Sequence, residues 1–294
     1  MLDQPKTAFR DWREYSQQEL DDNYNQNSLI PDNSPYKERK IRESERARAT
    51  LECILDVPYG PSRKEKLDIF PAARQGTPIQ IFIHGGAWKS GNKSEVSYPA
   101  PVFHAAGANF IAVNFASVPE VMIEEQVRQC RAAIAWVYRN AASFGGDSDR
   151  IYISGHSSGG HVTGMMVVTD WEGVYDLPPD IIKGAAPVSG MFDLEPVRHS
   201  WRNSYVGLDE ARARALSAIH HIPATRIPLV LAVGDSELTE FQRQTHAFAG
   251  AWRAAGQTCE LIVVPGRNHF DMGADFGDAD SPVTQAILRQ MRLA

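Results

Sequence analysis

The sequence predicts an α/β protein with a mostly parallel, eight-stranded sheet flanked by helices. Strand-like and helix-like runs alternate from about residue 51 onward, the order that sets parallel strands side by side and helices on both faces. The strand-like runs fall at 51–57, 66–70, 79–83, 110–114, 150–154, 184–188, 229–233 and 260–264, a number that suits one sheet. A long run at 119–142 repeats its apolar residues by four and three, as a helix lying on a sheet must.

Taken in order, the first two strands are separated by the turn-rich stretch PYGPSRKE, which predicts an antiparallel hairpin at one edge. The helix at 119–142 places Ile123, Val127, Cys130, Ile134, Val137 and Ala141 on one stripe. It stops at Phe144-Gly145-Gly146-Asp147, where glycine can take the left-handed conformation that ends helices. Further helices are expected at 158–169, 239–255 and 283–292. Residues 1–50 differ in being rich in charge, Asn and Gln, with a helix-prone block at 36–49. They read as a cap or arm preceding a catalytic domain at 51–294: a solvated helix on the outside, a partial lid over the site, or a surface for another protein.

Composition narrows the class. Of the 294 residues, 43% are hydrophobic and 22% charged, so the chain can bury a sizeable core as one domain and carries no signature of disorder. Acidic residues exceed basic ones by 36 to 30, which argues against nucleic acid as a partner and leaves a small-molecule substrate. No apolar run approaches the roughly 18 residues of a membrane span, and the N-terminus is too polar for a signal peptide. No membrane is therefore expected as a partner, the expected location is cytoplasmic, and a homodimer is the oligomer left open. Cys53, Cys130 and Cys259 lie far apart in apolar or helical runs and are expected in the core, reduced.

The chemistry is concentrated in residues 150–161, RIYISGHSSGGH. Gly155, Ser157 and Gly159 form G-x-S-x-G directly after an apolar strand and directly before a helix-like run. That setting is a nucleophile elbow, whose small flanking residues accept the tight backbone that exposes the serine hydroxyl. A serine is a weak nucleophile at neutral pH and needs a base, which in turn needs an orienting acid. His269, in Gly266-Arg267-Asn268-His269-Phe270 between the last strand and the last helix, is the expected base. His156 and His161, flanking the elbow, read as structural; His104, His199, His220, His221 and His246 lie in loops or helices without a matching partner. The acid falls in Gly234-Asp235-Ser236-Glu237-Leu238, where chain physics does not choose between Asp235 and Glu237. The unused carboxylate is expected to cap the next helix or to be solvated.

An oxyanion hole is expected from His84-Gly85-Gly86-Ala87-Trp88, which follows an apolar strand. Gly85 and Gly86 would offer unobstructed N–H groups, and Ser158 another from the positive end of its helix. With no H-E-x-x-H, paired C-x-x-C, P-loop or dinucleotide fingerprint, no metal and no cofactor is expected.

With these residues in place, the chain resembles the kynurenine formamidase (arylformamidase) group and its esterase neighbours, related to the hormone-sensitive-lipase branch of α/β hydrolases. The likeness lies in His84-Gly-Gly-Ala-Trp88, in Gly155-His-Ser-Ser-Gly-Gly-His161 followed by Thr169-Asp170-Trp171, in Ser189-Gly-Met-Phe-Asp-Leu-Glu-Pro196 and in Glu240-Phe-Gln-Arg-Gln244. It implies an α/β-hydrolase fold and hydrolysis of N-formylkynurenine, or another aryl or enamide N-formyl compound, to formate and an amine. A carboxylesterase acting on short-acyl esters is the alternative. The family's acid stands seven residues before the glutamine ending E-F-x-R-Q, which points to Glu237; because that acid is commonly aspartate, Asp235 stays as the alternative. The resemblance also sets His84, Trp88 and Phe192 beside the substrate, with Trp88 either narrowing the acyl side or anchoring the core. Arg198, His199 and Arg202 either reach the pocket mouth, where they would hold a carboxylate, or are solvated surface charge, the preferred reading.

Overall fold

Helices on both faces of a parallel sheet force its inner strands to be apolar on both sides. The computed structural model, which describes residues 9–294, shows this in three strands buried at every residue: β3 (Thr77–Ile83), β4 (Asn109–Val113) and β7 (Leu229–Gly234). With β1 (Ile54–Pro58), β2 (Lys66–Phe70), β5 (Gly146–His156), β6 (Ile182–Val188) and β8 (Cys259–Val264) they form one eight-stranded sheet in the order β1-β2-β4-β3-β5-β6-β7-β8. The pairs β1/β2 and β2/β4 are antiparallel and the remaining five are parallel. The fold is that of the α/β hydrolases.

Alternation along each strand divides the core in two. Ile79, Ile81, Ile83, Ile153 and Leu231 face one side, where they meet helices α4 (Ile123–Asn140), α5 (Ser158–Val167) and α10 (Thr239–Ala254). Phe82, Phe110, Tyr152 and Val230 face the other, against α3 (Ala100–Ala105), α11 (His269–Ala274) and α12 (Pro282–Gln290). The connection from β6 to β7 carries three short helices, α7 (Glu195–His199), α8 (Asn203–Val206) and α9 (Glu210–Ala215), and α6 (Trp171–Tyr175) precedes β6. These short helices and α11 are too brief for an apolar period to mark them.

Three expectations need correction. The helix expected from residue 119 begins at Ile123, because 118–120 form a turn; its C-terminal end tightens into a 3₁₀ turn over Ala141–Phe144 and stops at Gly145 with φ 78°. β5 starts at Gly146, four residues earlier than expected. Only Cys130 is a core cysteine; Cys53 and Cys259 are half-buried, since they border the exposed edge strands β1 and β8.

The N-terminal region also holds α1 (Gln17–Asp22) and α2 (Ser34–Thr50). Only Ser44 and Ala47 of α2 are buried, so most of this helix is solvated. The stretch before it is not: Leu20 and Tyr24 join the core, and Tyr24 is bonded at both ends. Its carbonyl accepts from Arg202 Nε (2.8 Å), and its hydroxyl accepts from Gln244 Nε2 (2.8 Å) and donates to Glu240 Oε2 (3.2 Å).

α2 is tied to the sheet through Asp68, which is fully buried on β2. Its carboxylate accepts from Arg48 of α2, from Lys93 Nζ (2.7 Å) and from the backbone N–H of Asp56 (2.9 Å). Neutralising it strands the buried Lys93 ammonium with only the exposed Asp56 carboxylate (3.0 Å). Asp68→Asn is therefore expected to lower the unfolding free energy by about 3 kcal/mol, measured by urea denaturation. An unchanged midpoint would show the network to be dispensable.

Candidate active site

Parallel β5 runs straight into α5, and the single residue between them must reverse the chain. Ser157 does so with φ 61° and ψ −123°, a backbone that costs about 1–3 kcal/mol in a residue with a side chain. Packing enforces it. The Ser157 N–H donates to Val188 O at the end of β6 (3.0 Å), and a Cβ on Gly159 would fall 2.2 Å from Ile83 O. Only glycine lets α5 descend this closely on β3, and the descent lifts the Ser157 hydroxyl off the sheet end.

The imidazole beside it comes from the first residue of α11. Asn268 caps that helix, its Oδ1 accepting from the N–H groups of Phe270 (2.8 Å) and Asp271 (3.1 Å). His269 is thereby fixed with Nε2 2.8 Å from Ser157 Oγ and Nδ1 2.5 Å from Glu237 Oε2. Its ring packs between Phe241 (4.7 Å between centroids) and His156 (4.5 Å). Glu237, in the turn after β7, is buried and fully engaged: Oε1 accepts from Ser189 Oγ (2.6 Å) and from the Gly234 N–H (2.9 Å).

Of the two roles expected for the unused carboxylate, Asp235 does not cap a helix but is solvated. It is exposed at the surface, yet its Oδ1 accepts from the Gly266 N–H (2.7 Å), so it pins the turn that leads from β8 to His269 instead of capping a helix. Chain distance from His269 does not separate the two acids. Direction does, since Gly234 turns Glu237 inward and Asp235 outward.

Burial pushes the Glu237 carboxyl up to about 7, against the pull of Ser189 and Gly234. Burial also holds the His269 imidazole well below its ordinary 6.5, and the positive charges of Arg202 and Lys40 add to the effect. A neutral ring with a carboxylate at Nδ1 keeps its proton there and turns the Nε2 lone pair toward the serine. Lys40 reaches this region from α2: a Cβ on Gly273 would fall 2.6 Å from its Nζ and 3.0 Å from His156 Nδ1. Burial lowers the Lys40 ammonium to about 8.

Beyond β3, the loop 84–88 passes Ser157 so closely that a Cβ on Gly85 would fall 2.6 Å from His156 O and 3.2 Å from Ser157 Cβ. The loop turns through positive φ at Gly86, Ala87 and Trp88. The N–H groups of Gly85, Gly86 and Ser158 find no intramolecular acceptor among the described residues. Such donors beside a serine hydroxyl have the geometry that suits a developing oxyanion.

The three side chains expected beside the substrate have packing partners instead. Trp88 is an anchor: its Nε1 donates to His161 Nδ1 (3.1 Å), its N–H to Ser158 Oγ (3.2 Å), and its carbonyl accepts from Gln126 Nε2 (2.6 Å). His84 is buried and stacked on Phe115 at 4.2 Å, and burial pushes it down to about 4. Phe192 is fully buried against Phe248 at 4.4 Å. Among the cations of the β6–β7 connection, Arg198 and His199 pair with Glu195 (2.9 and 3.3 Å), but Arg202 is buried, contrary to the solvated-charge reading. Sequence reasoning also missed Ser189 and Lys40. Ser189 lies in a stretch that carries the family likeness, whereas nothing local marks Lys40, which meets His156 and Gly273 from more than a hundred residues away in the chain.

The chain matches the family model BD-FAE over residues 67–250. It is 28% identical to a kynurenine formamidase of Danio rerio, covering 96% of this chain and 98% of that protein, and 31% identical to one of Salmo salar, covering 84% and 85%. Esterase LipQ of Mycobacterium tuberculosis is 27% identical over 74% of this chain and 58% of its own length. A solved Silicibacter structure superposes with a TM-score of 0.81 at 24% identity, covering 91% of this chain and 98% of that one, a likeness of fold. On this evidence of sequence and fold, the chain is a hydrolase that belongs to the BD-FAE family of α/β hydrolases and is kynurenine formamidase-like within it.

Proposed function

We propose that the protein is a serine hydrolase that cleaves the N-formyl amide of an aryl or enamide amine, of which N-formylkynurenine is the model, to formate and the free amine. The observation that carries the reaction type is the unbroken hydrogen-bonded chain Ser157–His269–Glu237. The end-to-end likeness to two kynurenine formamidases supports the substrate class.

In this reading Ser157 Oγ attacks the formyl carbon as His269 Nε2 takes its proton, and Glu237 stabilises the imidazolium. The N–H groups of Gly85, Gly86 and Ser158 receive the oxyanion; each such donor is worth roughly 10²–10³-fold in rate. His269 then protonates the departing nitrogen, which leaves readily because its lone pair is conjugated to a ring. Water, deprotonated by the same imidazole, releases formate and restores the serine. A short-acyl carboxylesterase uses the same constellation, and the likeness to LipQ favours it as the second reading.

The two readings part on kcat/KM. N-formylkynurenine is expected to exceed a panel of short aryl esters; ester turnover without formate release from any formamide would leave the esterase reading in its place. Glu237→Gln is expected to lower turnover roughly 10³-fold or more at unchanged folding. Asp235→Asn, which keeps its acceptor for Gly266, is expected to stay within about threefold, and the reverse ranking would reassign the acid.

The base works only when unprotonated, so activity falls as pH falls through the apparent pKa of the His269–Glu237 pair. The Lys40 cation opposes a proton on His269. Lys40→Met should therefore move the acid limb of the kcat/KM profile to higher pH by roughly half a unit; no shift, or a downward one, would remove Lys40 from the electrostatics of the site.

A further inference from the structure

Arg202 is a buried charge to which the hydrolytic steps give no task. Its side chain is buried, its Nε donates to Tyr24 O (2.8 Å), and its Nη1 lies 3.9 Å from Met191 Sδ. No carboxylate among the described residues pairs with it, although every other buried cation near the sheet ends has one or is only half-buried. The guanidinium stands 5.7 Å from the Tyr24 ring centroid and 5.9 Å from that of Phe241. One carbonyl and two aromatic faces offset only part of the cost of taking such a cation out of water, which an anion would complete.

Its neighbours locate it. Phe241 packs edge-on against His269, and Met191 stands two residues beyond Ser189, which bonds Glu237. Arg202 therefore lies on the His269 side of Ser157, opposite in role to the 84–88 loop that faces the oxyanion. His269 must reach the leaving atom to protonate it, so the leaving group occupies that same side.

We propose that Arg202 anchors a carboxylate borne by the leaving group, so that the enzyme selects aryl amides or esters whose departing half is anionic. The guanidinium fork suits a carboxylate in two parallel hydrogen bonds, and aromatic walls from Tyr24 and Phe241 suit the ring that carries it. This anchor rests on the reading of Ser157 and His269 as nucleophile and base, and it names the substrate class for that site.

Two matched pairs test it: ortho-formamidobenzoyl-propanoate against neutral ortho-formamidobutyrophenone, and meta-acetoxybenzoate against phenyl acetate. The wild type is expected to favour the anionic member by roughly tenfold or more in kcat/KM. Arg202→Met is expected to bring the ratio near one, any change that loss of its charge makes to His269 falling equally on both members of a pair, and Arg202→Lys to keep part of the preference. Should Arg202→Met not fold, the wild-type and Arg202→Lys ratios decide. A wild-type ratio near one, or equal losses on both members in the variants, overturns the anchor. Formamides cleaved without preference would sink the anchor and leave the formamidase reading intact. Inert formamides beside an Arg202-dependent preference in the ester pair would do the opposite.

Discussion

A serine with positive φ at the end of a buried strand constrains everything placed around it. The Ser157 turn is held by contacts with three neighbours, the end of β6, the descent of α5 on β3 and the 84–88 loop, each of which fits only if the others are seated. The strain of about 1–3 kcal/mol is small beside the burial of two apolar faces on the sheet. That burial lets the sheet impose an unfavourable backbone on one residue while its other strands remain regular. The same junction then serves two ends: it lifts the hydroxyl out of the sheet and starts a helix whose first N–H points at the same space.

Around that junction the interior is polar, and its polar groups are matched with few exceptions. Glu237 is met by Ser189, Gly234 and His269. His161 spans Trp88 Nε1 and Leu216 O, so its Nε2 carries the proton and burial keeps the ring neutral. Beside the site, His84 Nε2 and His156 Nε2 are buried without partners. An environment that penalises charge this strongly keeps the His269 imidazole neutral and strengthens electrostatics toward any charge placed beside it.

The sheet was legible in the sequence because each inner strand is a short apolar run bounded by turns, and the helix at 123–140 because its stripe is long enough to set a period. The short helices between β6 and β7 were not legible, since four to six residues fix no period and tertiary contacts determine their shape. At the site, Ser157, His269 and the glycines Gly85 and Gly86 are marked by local grammar, an apolar strand before each and, for Ser157 and His269, a helix after. The choice between Glu237 and Asp235 is a matter of which way one turn faces. Trp88 illustrates the opposite limit: in sequence it reads equally as a pocket wall or a core anchor, and only the placement of His161, 73 residues on, reveals it as a strut.

Tyr24 has a consequence for how the molecule is made. Its hydroxyl is clasped by Gln244 and Glu240, 220 and 216 residues further along the chain, and its carbonyl by Arg202. A segment translated early thus has its berth built from side chains translated some two hundred residues later. Until α10 has been synthesised, the Tyr24 hydroxyl lacks the two partners that clasp it. Closure of that strap therefore waits on α10, the helix that packs Phe241 against His269.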